Sequence, residues 1–204
     1  MVERHVAGRG VADARVLEAM RQVPRHLFVP KVVEAKAYGP SALPIGGGQT
    51  ISQPYIVARM IELLELKGTE KVLEIGTGTG YQAVVLSRVA ARVFSIERLN
   101  ELALRATETA RSLKISNLSI KVFDGTYGWS DQAPFDRIIV AAAAPEVPQP
   151  LIQQMARTGK MVIPLGPEGN QRLARVTRTG TSLQIEDCGP AEFVPLVGRF
   201  GWKG

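Results

Sequence analysis

Three glycines at alternate positions, Gly76, Gly78 and Gly80, directly follow a short apolar run that contains Glu74. Because glycine has no Cβ, a loop with glycines at this spacing lets a ligand approach the backbone closely. A segment that is apolar at helical spacing begins at Tyr81, and the first N–H groups of a helix lack partners within it. A strand, a glycine turn and a helix start in this order favour a nucleotide site. The spacing differs from the GxGxxG of dinucleotide sites, so the loop alone leaves the ligand open.

Two acidic residues are predicted to lie at the same edge of the fold as the glycine loop. Glu97 ends the next predicted strand, about 20 residues past the loop, where an acid commonly accepts hydrogen bonds from the ribose hydroxyls of an adenosine. Asp124 and Gly125 close the strand after that. There a carboxylate could accept from the adenine amine and a glycine would leave room for the ring, although Asp-Gly is also an ordinary turn pair. Three rim positions on successive strands favour an adenosine ligand.

Elimination narrows the choice among adenosine ligands. A dinucleotide site would need a second glycine fingerprint and hydride-transfer residues such as a Tyr-x-x-x-Lys pair, and the chain has neither. No GKS or GKT follows the glycines, so a P-loop is excluded. The two histidines, His5 and His26, are far apart in sequence, which argues against a metal centre or a histidine-based triad. S-adenosylmethionine remains, since it needs ribose and adenine contacts but no phosphate cradle, and Glu74 beside the loop is compatible with it.

The elements that must position these residues alternate between strand and helix. Strands are predicted over 71–75, 92–96, 118–123, 135–141 and 160–164, with helices over 81–89, 99–114 and 148–156. This alternation predicts an α/β fold whose sheet is parallel, with right-handed crossovers and helices on both faces. Two further strands, 172–178 and 182–188, are joined by a three-residue loop centred on Gly180, which predicts an antiparallel hairpin.

The N-terminal third is predicted to be an extension of one domain rather than a domain by itself. Asp13 can cap a helix that Pro24 ends, and Pro54 suits the first turn of a second helix. A glycine- and proline-rich extended tract over 38–48 lies between these helices. A chain of 204 residues suits one α/β domain, so we expect a single domain with an extension over 1–65 and a sheet core over 66–204.

Composition limits the binding partners and the cell compartment that we expect for this protein. The formal net charge is +6, but the basic residues are scattered without aromatic residues between them, which favours a solvated surface over a nucleic-acid interface. No apolar run approaches the roughly 20 residues that span a membrane, and the N-terminus has no signal-peptide core. Cys188 is the only cysteine, so an internal disulfide is impossible. We expect a cytoplasmic protein that binds neither nucleic acid nor a membrane.

Several stretches carry a family resemblance. The stretch KVLEIGTGTGYQAVVL resembles the cofactor loop of class I methyltransferases. Together with VPRHLFVP, GGGQTISQPY and DRIIVAAAAPEVPQPLI, it makes residues 20–198 resemble the protein-L-isoaspartate O-methyltransferase family. The resemblance implies a doubly wound, mostly parallel seven-stranded sheet with an antiparallel C-terminal hairpin. It implies methyl transfer from S-adenosylmethionine, leaving S-adenosylhomocysteine, to the free α-carboxylate of isoaspartyl residues in peptides and proteins. No metal is implied, and we expect a monomer.

The resemblance also assigns roles to individual positions. The implied catalytic residue is Ser52. Without the resemblance, a role as the N-cap of the helix near Pro54 would explain this serine equally well. The implied cofactor contacts are Thr50, Ile51, Tyr55, Glu74, Gly76, Thr77, Gly78, Glu97, Asp124 and Gly125. The implied substrate cleft comprises Ser52, Phe193, Val194, Pro195, Leu196 and Val197. The chain departs from the family at Phe123, where many relatives have glycine, so adenine packing there is expected to differ.

Three other functions share parts of this pattern. A class I methyltransferase acting on RNA or on a small molecule would have the same glycine loop, Glu97 and Asp124. The chain lacks the Asp/Asn-Pro-Pro-Tyr/Phe motif of enzymes that methylate base amines, which argues against one such group. A module that binds S-adenosylmethionine without catalysis is a second alternative, and a nicotinamide-dependent dehydrogenase is a third.

Overall fold

The computed structural model describes residues 1–203. The helices are α1 Val2–His5, α2 Ala14–Gln22, α3 Pro54–Leu63, α4 Tyr81–Ser87, α5 Asn100–Ser112 and α6 Gln149–Gln154. The strands are β1 Leu43–Gly46, β2 Gln49–Ile51, β3 Lys71–Ile75, β4 Arg92–Glu97, β5 Leu118–Val122, β6 Phe135–Val140, β7 Met155–Leu165, β8 Gln171–Thr179 and β9 Ser182–Ala191. None of the helices in this described part is long and apolar enough to cross a membrane.

Seven of these strands form one sheet in the order β5-β4-β3-β6-β7-β8-β9. The first five of this order pair in parallel, while β8 pairs antiparallel with both β7 and β9. This arrangement confirms the predicted doubly wound, mostly parallel seven-stranded sheet with an antiparallel C-terminal hairpin. The strand order reverses between β3 and β6, and α/β folds bind their ligands at such a switch point.

Side chains alternate across the central strands and build a separate core on each face. On β3, Val72 packs in one apolar cluster and Leu73 in the other. The first cluster also takes in the N-terminal segments and α4, so the extension is packed against the sheet. The side chain of Glu74 lies on the same face of the sheet as that of Val72, and Glu74 is paired with Ser95 of β4 in the parallel register. A carboxyl group is therefore placed inside the core, two residues before the glycine loop.

The structure differs from the sequence prediction in two elements. The predicted helix over 148–156 ends at Gln154, and β7 begins directly at Met155, which pairs with Phe135 and is buried. Burial of the Met155 side chain under the sheet favours the extended backbone there, and this tertiary contact overrides the helical pattern. The tract predicted as merely extended contains the antiparallel pair β1 and β2, which a turn of three glycines with positive φ, residues 46–48, connects.

The helix starts predicted in the N-terminal extension are largely confirmed. Asp13 is the N-cap of α2, and its carboxylate accepts a hydrogen bond from the N–H of Arg15. Pro54 occupies the first turn of α3, but the N-cap there is Gln53 and not Ser52. The alternative in which Ser52 caps this helix is therefore wrong, and the local helix start does not explain a serine at this position.

Candidate active site

An open cleft lies beyond the carboxyl ends of β3, β4 and β6. Most of the predicted site residues line it: Thr50, Ile51, Ser52, Gly76, Thr77, Gly78, Glu97, Gly125, Val194, Pro195, Leu196 and Val197. The cleft thus brings together residues from the β2–α3 segment, three strand ends and the C-terminal segment.

Four predicted residues do not belong to the lining: Tyr55, Glu74, Asp124 and Phe193. Tyr55 lies in the first turn of α3, with the guanidinium of Arg9 3.8 Å from its ring centre. Sequence analysis missed other lining residues, among them Thr79, Gln82, Ala141 and Ala142. Of these, Ala141 and Ala142 could have been inferred, because the predicted strand over 135–141 ends there, at the same rim.

The glycine loop has the backbone that its sequence predicts. Gly76, Gly78 and Gly80 all have positive φ values, +90°, +55° and +88°, which L-residues with side chains rarely adopt. The N–H of Gly76 donates to the Ile96 carbonyl, which ties the loop to the end of β4. At Gly80 an added Cβ would come within 3.1 Å of the Ala106 Cβ. Glycine is needed here both for conformation and for the approach of the loop to α5.

Glu97 connects the glycine loop to the start of α5. Its carboxylate is buried, one oxygen accepting from the N–H of Gly78 at 2.8 Å and the other from the N–H of Leu99 at 2.9 Å. A carboxylate oxygen can accept two hydrogen bonds, so each retains capacity for a ligand hydroxyl. The arrangement holds an acid at the cleft wall in one orientation, as recognition of a ribose diol requires.

A buried chain of hydrogen bonds runs behind the loop. Ser95 donates to Glu74 Oε2 at 2.5 Å, and the Ser95 and Thr77 hydroxyls are 2.5 Å apart. Either hydroxyl can donate in the second bond, so Thr77 is linked through Ser95 to Glu74. Burial raises the pKa of Glu74 to about 8; the Ser95 hydrogen bond opposes this rise and the charge of Glu97 adds to it. Near neutral pH, Glu74 is therefore mostly protonated and acts on the cleft through Thr77.

Asp124 is engaged by the protein rather than directed into the cleft. Its Oδ1 accepts from the N–H and the hydroxyl of Thr126, and its Oδ2 accepts from the N–H of Arg199 at 2.9 Å. These bonds attach the C-terminal segment to the end of β5. Gly125 does line the cleft, and an added Cβ would lie 2.4 Å from Ile75 Cγ2. The adenine contact of Asp124 stays a prediction, whereas the close approach explains glycine at 125.

Phe123 is part of an exposed aromatic row beside this rim. Its ring centre is 5.7 Å from that of Tyr127, which in turn is 5.1 Å from that of Phe200. All three side chains are about two-fifths exposed. Lys121 lies above the Phe123 ring, 4.7 Å from its centre. The departure from the family pattern at Phe123 therefore adds apolar surface outside the cleft.

The C-terminal segment is fixed by main-chain bonds before it reaches the cleft. The amide of Gln171 bonds both the N–H and the carbonyl of Phe193, which is buried. Ala143 then pairs with the segment in a short parallel bridge. Its carbonyl accepts from the N–H of Leu196, and its N–H donates to the carbonyl of Val194. Val194 to Val197 are consequently held as a short extended wall of the cleft.

Ser52 also lines the cleft and comes directly after β2. The carbonyl of Ser52 accepts a hydrogen bond of 2.8 Å from Nη2 of Arg25, a residue that sequence analysis quoted within VPRHLFVP without singling it out. The side chain of Ser52 is partly exposed and belongs to the cleft lining. The backbone of Ser52 is thus held by Arg25 at the point where this residue lines the cleft.

Comparisons with known proteins agree with the site. A model of the family described as protein-L-isoaspartate(D-aspartate) O-methyltransferase matches residues 1–201. Protein-L-isoaspartate O-methyltransferase 1 of Syntrophobacter fumaroxidans is 52% identical over 204 residues, covering 100% of this chain and 95% of that protein. The protein-L-isoaspartate O-methyltransferase of Methanoculleus marisnigri is 50% identical, covering 100% and 93%.

Solved structures give the same result. A structure of a protein-L-isoaspartate O-methyltransferase superposes with a TM-score of 0.89 at 28% identity, covering 98% of this chain and 67% of the other. A Plasmodium falciparum structure described as this enzyme, in complex with S-adenosyl-L-homocysteine, has a TM-score of 0.81 at 25% identity and covers 95% and 94%.

Proposed function

Because the chain belongs to the protein-L-isoaspartate(D-aspartate) O-methyltransferase family, we propose that it transfers a methyl group from S-adenosylmethionine to the free α-carboxylate of L-isoaspartyl residues. This esterification in damaged peptides and proteins initiates their repair. The observation that carries the proposal is that Ser52, the glycine loop and Glu97 all line one cleft. Donor and acceptor sites that share one cleft are what direct group transfer requires.

The residues of the cleft fit S-adenosylmethionine. The buried carboxylate of Glu97 suits a ribose diol, and the glycine loop leaves its backbone open to a ligand. Ile75 and Ile96 contribute apolar wall for a purine, and Gly125 leaves room beside them. When bound, S-adenosylmethionine supplies an electrophilic methyl group on a sulfonium. We propose Thr50, Ile51, Gly76, Thr77, Gly78, Glu97 and Gly125 as direct contacts, with Tyr55, Glu74 and Asp124 in support.

The acceptor requires little activation by the protein. An α-carboxyl titrates at about 3.3–3.7, so near neutral pH it is already an anionic nucleophile and no general base is needed. The protein therefore has to position the carboxylate and exclude water. We assign the positioning to Ser52, whose hydroxyl donates a hydrogen bond to one carboxylate oxygen and leaves the other free to react.

The C-terminal wall provides a main-chain edge for a peptide. One side of residues 194–196 is already bonded to Ala143, and the N–H of Val194 takes no part in that pairing. An extended substrate could add to this edge through backbone hydrogen bonds, which would let the enzyme accept many sequences. We propose that Val194 to Val197 bind the peptide backbone and that the buried Phe193 anchors them.

Replacing Glu97 by glutamine should weaken binding of S-adenosylhomocysteine by about 10- to 100-fold. One charged acceptor is lost, and the NH2 group of the glutamine can place a donor against a backbone N–H that Glu97 accepts from. Isothermal calorimetry on the folded variant measures this change. Glu101→Gln is the matched control, since Glu101 is exposed on the next helix and pairs only with Arg105. Unchanged affinity in Glu97→Gln would remove Glu97 from the cofactor site.

Replacing Val194 by proline should raise the KM for an isoaspartyl peptide by about 5- to 10-fold, since one backbone donor is lost. Val194→Ala is the control because it trims the side chain but keeps the N–H. Leu196→Pro is a poorer test, as the N–H of Leu196 already donates to Ala143 at 2.7 Å and its loss would damage the fold. An unaltered KM in a folded Val194→Pro enzyme would refute peptide addition at this edge.

The function is tested against its rivals by offering labelled S-adenosylmethionine with three acceptors: an isoaspartyl peptide, RNA and a small carboxylic acid. We expect label only on the peptide, and we expect mild alkali to release it, as it does from a methyl ester. Label on RNA that survives alkali, or on the small acid alone, would support a different methyltransferase. Cofactor binding without transfer to any acceptor would support a non-catalytic module.

The setting of the enzyme is also a proposal. With Cys188 as the only cysteine, the fold depends on no internal disulfide, and we propose the cytoplasm as its compartment. We propose that it acts as a monomeric single domain, whose N-terminal extension carries Ser52, on isoaspartyl peptides and proteins, with no nucleic acid, membrane or metal partner.

A further inference from the structure

Arg25 is a fully buried arginine located directly behind the proposed acceptor site. Its side chain has no solvent exposure. The guanidinium donates from Nε to the Ala37 carbonyl at 2.9 Å and from Nη2 to the Ser52 carbonyl at 2.8 Å. It therefore links the turn that contains Arg25 to the segment that presents Ser52, across 27 residues of sequence.

Within residues 1–203 the titratable group that acts on the Arg25 guanidinium is the phenol of Tyr81, and no acidic side chain does so. The guanidinium carbon is 4.7 Å from the ring centre of Tyr81, a residue of the cleft lining. Nη1 of Arg25 and the hydroxyl of Tyr81 are neighbours without a hydrogen bond of normal geometry, and the phenol, whose pKa burial raises to about 12, carries no charge that could neutralise the guanidinium. Burial lowers the pKa of Arg25, but a guanidinium stays protonated at neutral pH.

An unpaired buried charge is costly, and the two hydrogen bonds to carbonyls offset only part of that cost. Hydrogen bonds to two carbonyls do not require a full positive charge. The charge is, however, placed beside the residue that we assign to the acceptor carboxylate. Because the Arg25 side chain is buried, the attraction between it and a bound anion is less screened than that of an exposed cation. Arg98 also lines the cleft, but it is exposed, so solvent screens its charge.

We propose that Arg25 is a positioning and specificity-determining residue: it fixes Ser52 through its carbonyl, and its unpaired charge makes the cleft favour an ionised carboxylate over a neutral acceptor. The proposal rests on the proposed function, because the carboxylate in question is that of the isoaspartyl substrate. The substrate thereby supplies the counter-ion that the described chain does not.

The test compares two peptides of the same sequence, one with the free α-carboxylate of its isoaspartyl residue and one with an α-carboxamide in its place. Their dissociation constants are measured in the presence of S-adenosylhomocysteine. We expect the wild-type enzyme to prefer the carboxylate by about tenfold or more. A purely structural role for Arg25 would not affect this ratio, since both peptides have the same shape.

Three variants separate charge from packing. Arg25→Met keeps the length and loses the charge, and we expect its preference to fall below about twofold. Arg25→Lys keeps the charge and should retain more of the preference. Arg111→Met, on the exposed face of α5, is the control and should behave as wild type. If Arg25→Met does not fold, Arg25→Gln replaces it, with the same loss expected.

Either of two results would overturn the inference. One is a folded Arg25→Met or Arg25→Gln enzyme that keeps the wild-type preference. The other is a wild-type enzyme that binds both peptides equally, and this result needs no variant to fold. Failure of the proposed function is a separate outcome, recognised when wild-type enzyme transfers no methyl group to the isoaspartyl peptide.

Discussion

Replacing Ser52 by alanine is expected to lower kcat by about 100- to 1,000-fold, the usual cost of losing one donor to a reacting oxygen. The reaction should be slowed and not abolished, because the acceptor carboxylate is already ionised and no base is lost. The affinity for S-adenosylhomocysteine should not change, since the glycine loop and Glu97 remain in place. Steady-state kinetics with an isoaspartyl peptide, together with calorimetry, measure both quantities.

The control for this substitution is Ser41→Ala, which removes an exposed hydroxyl outside the cleft lining and should leave kcat unaltered. A loss well beyond about 1,000-fold, in a folded enzyme with intact cofactor affinity, would exceed what one donor contributes. That result would mean that Ser52 takes part in the chemistry itself, and it would contradict the positioning role.

Replacing Glu74 by glutamine is expected to remove a large pH dependence of folding. The pKa of Glu74 is about 8 in the folded protein, against 4.5 for the unperturbed group. Between about pH 4.5 and 8 the unfolded state therefore releases a proton that the folded state retains, so the free energy of unfolding falls as pH rises. The stabilisation is fully present below pH 4.5, and several kcal/mol are lost by pH 8.

Chemical denaturation of wild type and Glu74→Gln across this pH window gives the free energy of unfolding of each protein. The effect is the difference between these two free energies as a function of pH. Wild type should lose stability relative to the variant as pH increases, and the difference should level off above about pH 8. Glu168→Gln, an exposed acid between β7 and β8, is the control and should parallel wild type. Parallel curves for Glu74→Gln and wild type would mean that Glu74 is ionised in the folded protein.

The central strands were predictable because they are buried on both faces. In β3 and β4 every position after the first is buried, each contains a short apolar run, and glycine or an acid stands at the rim. The pairing of β1 with β2 could not be predicted, because a tract rich in glycine and proline has little local preference for strand. Its register depends on the burial of Leu43 and Ile51 against the rest of the fold.

The residues of the candidate site also fall into those that the sequence predicts and those that it does not. Gly76, Gly78 and Glu97 follow from the rule that ligands bind beyond the carboxyl ends of parallel strands. Ser52 could be assigned only from the family resemblance, since a serine before a helix reads equally well as a cap. Arg25 was missed because one arginine in an apolar stretch suggests a surface residue, and nothing local indicates a partner 27 residues away.

The most direct test of the account is methyl transfer from labelled S-adenosylmethionine to two synthetic peptides that differ in one linkage, isoaspartyl against normal aspartyl. The account predicts transfer to the isoaspartyl peptide alone, because only that linkage leaves a free α-carboxylate to contact Ser52. Equal transfer to both peptides, or transfer to neither by an enzyme that still binds S-adenosylhomocysteine, would contradict it.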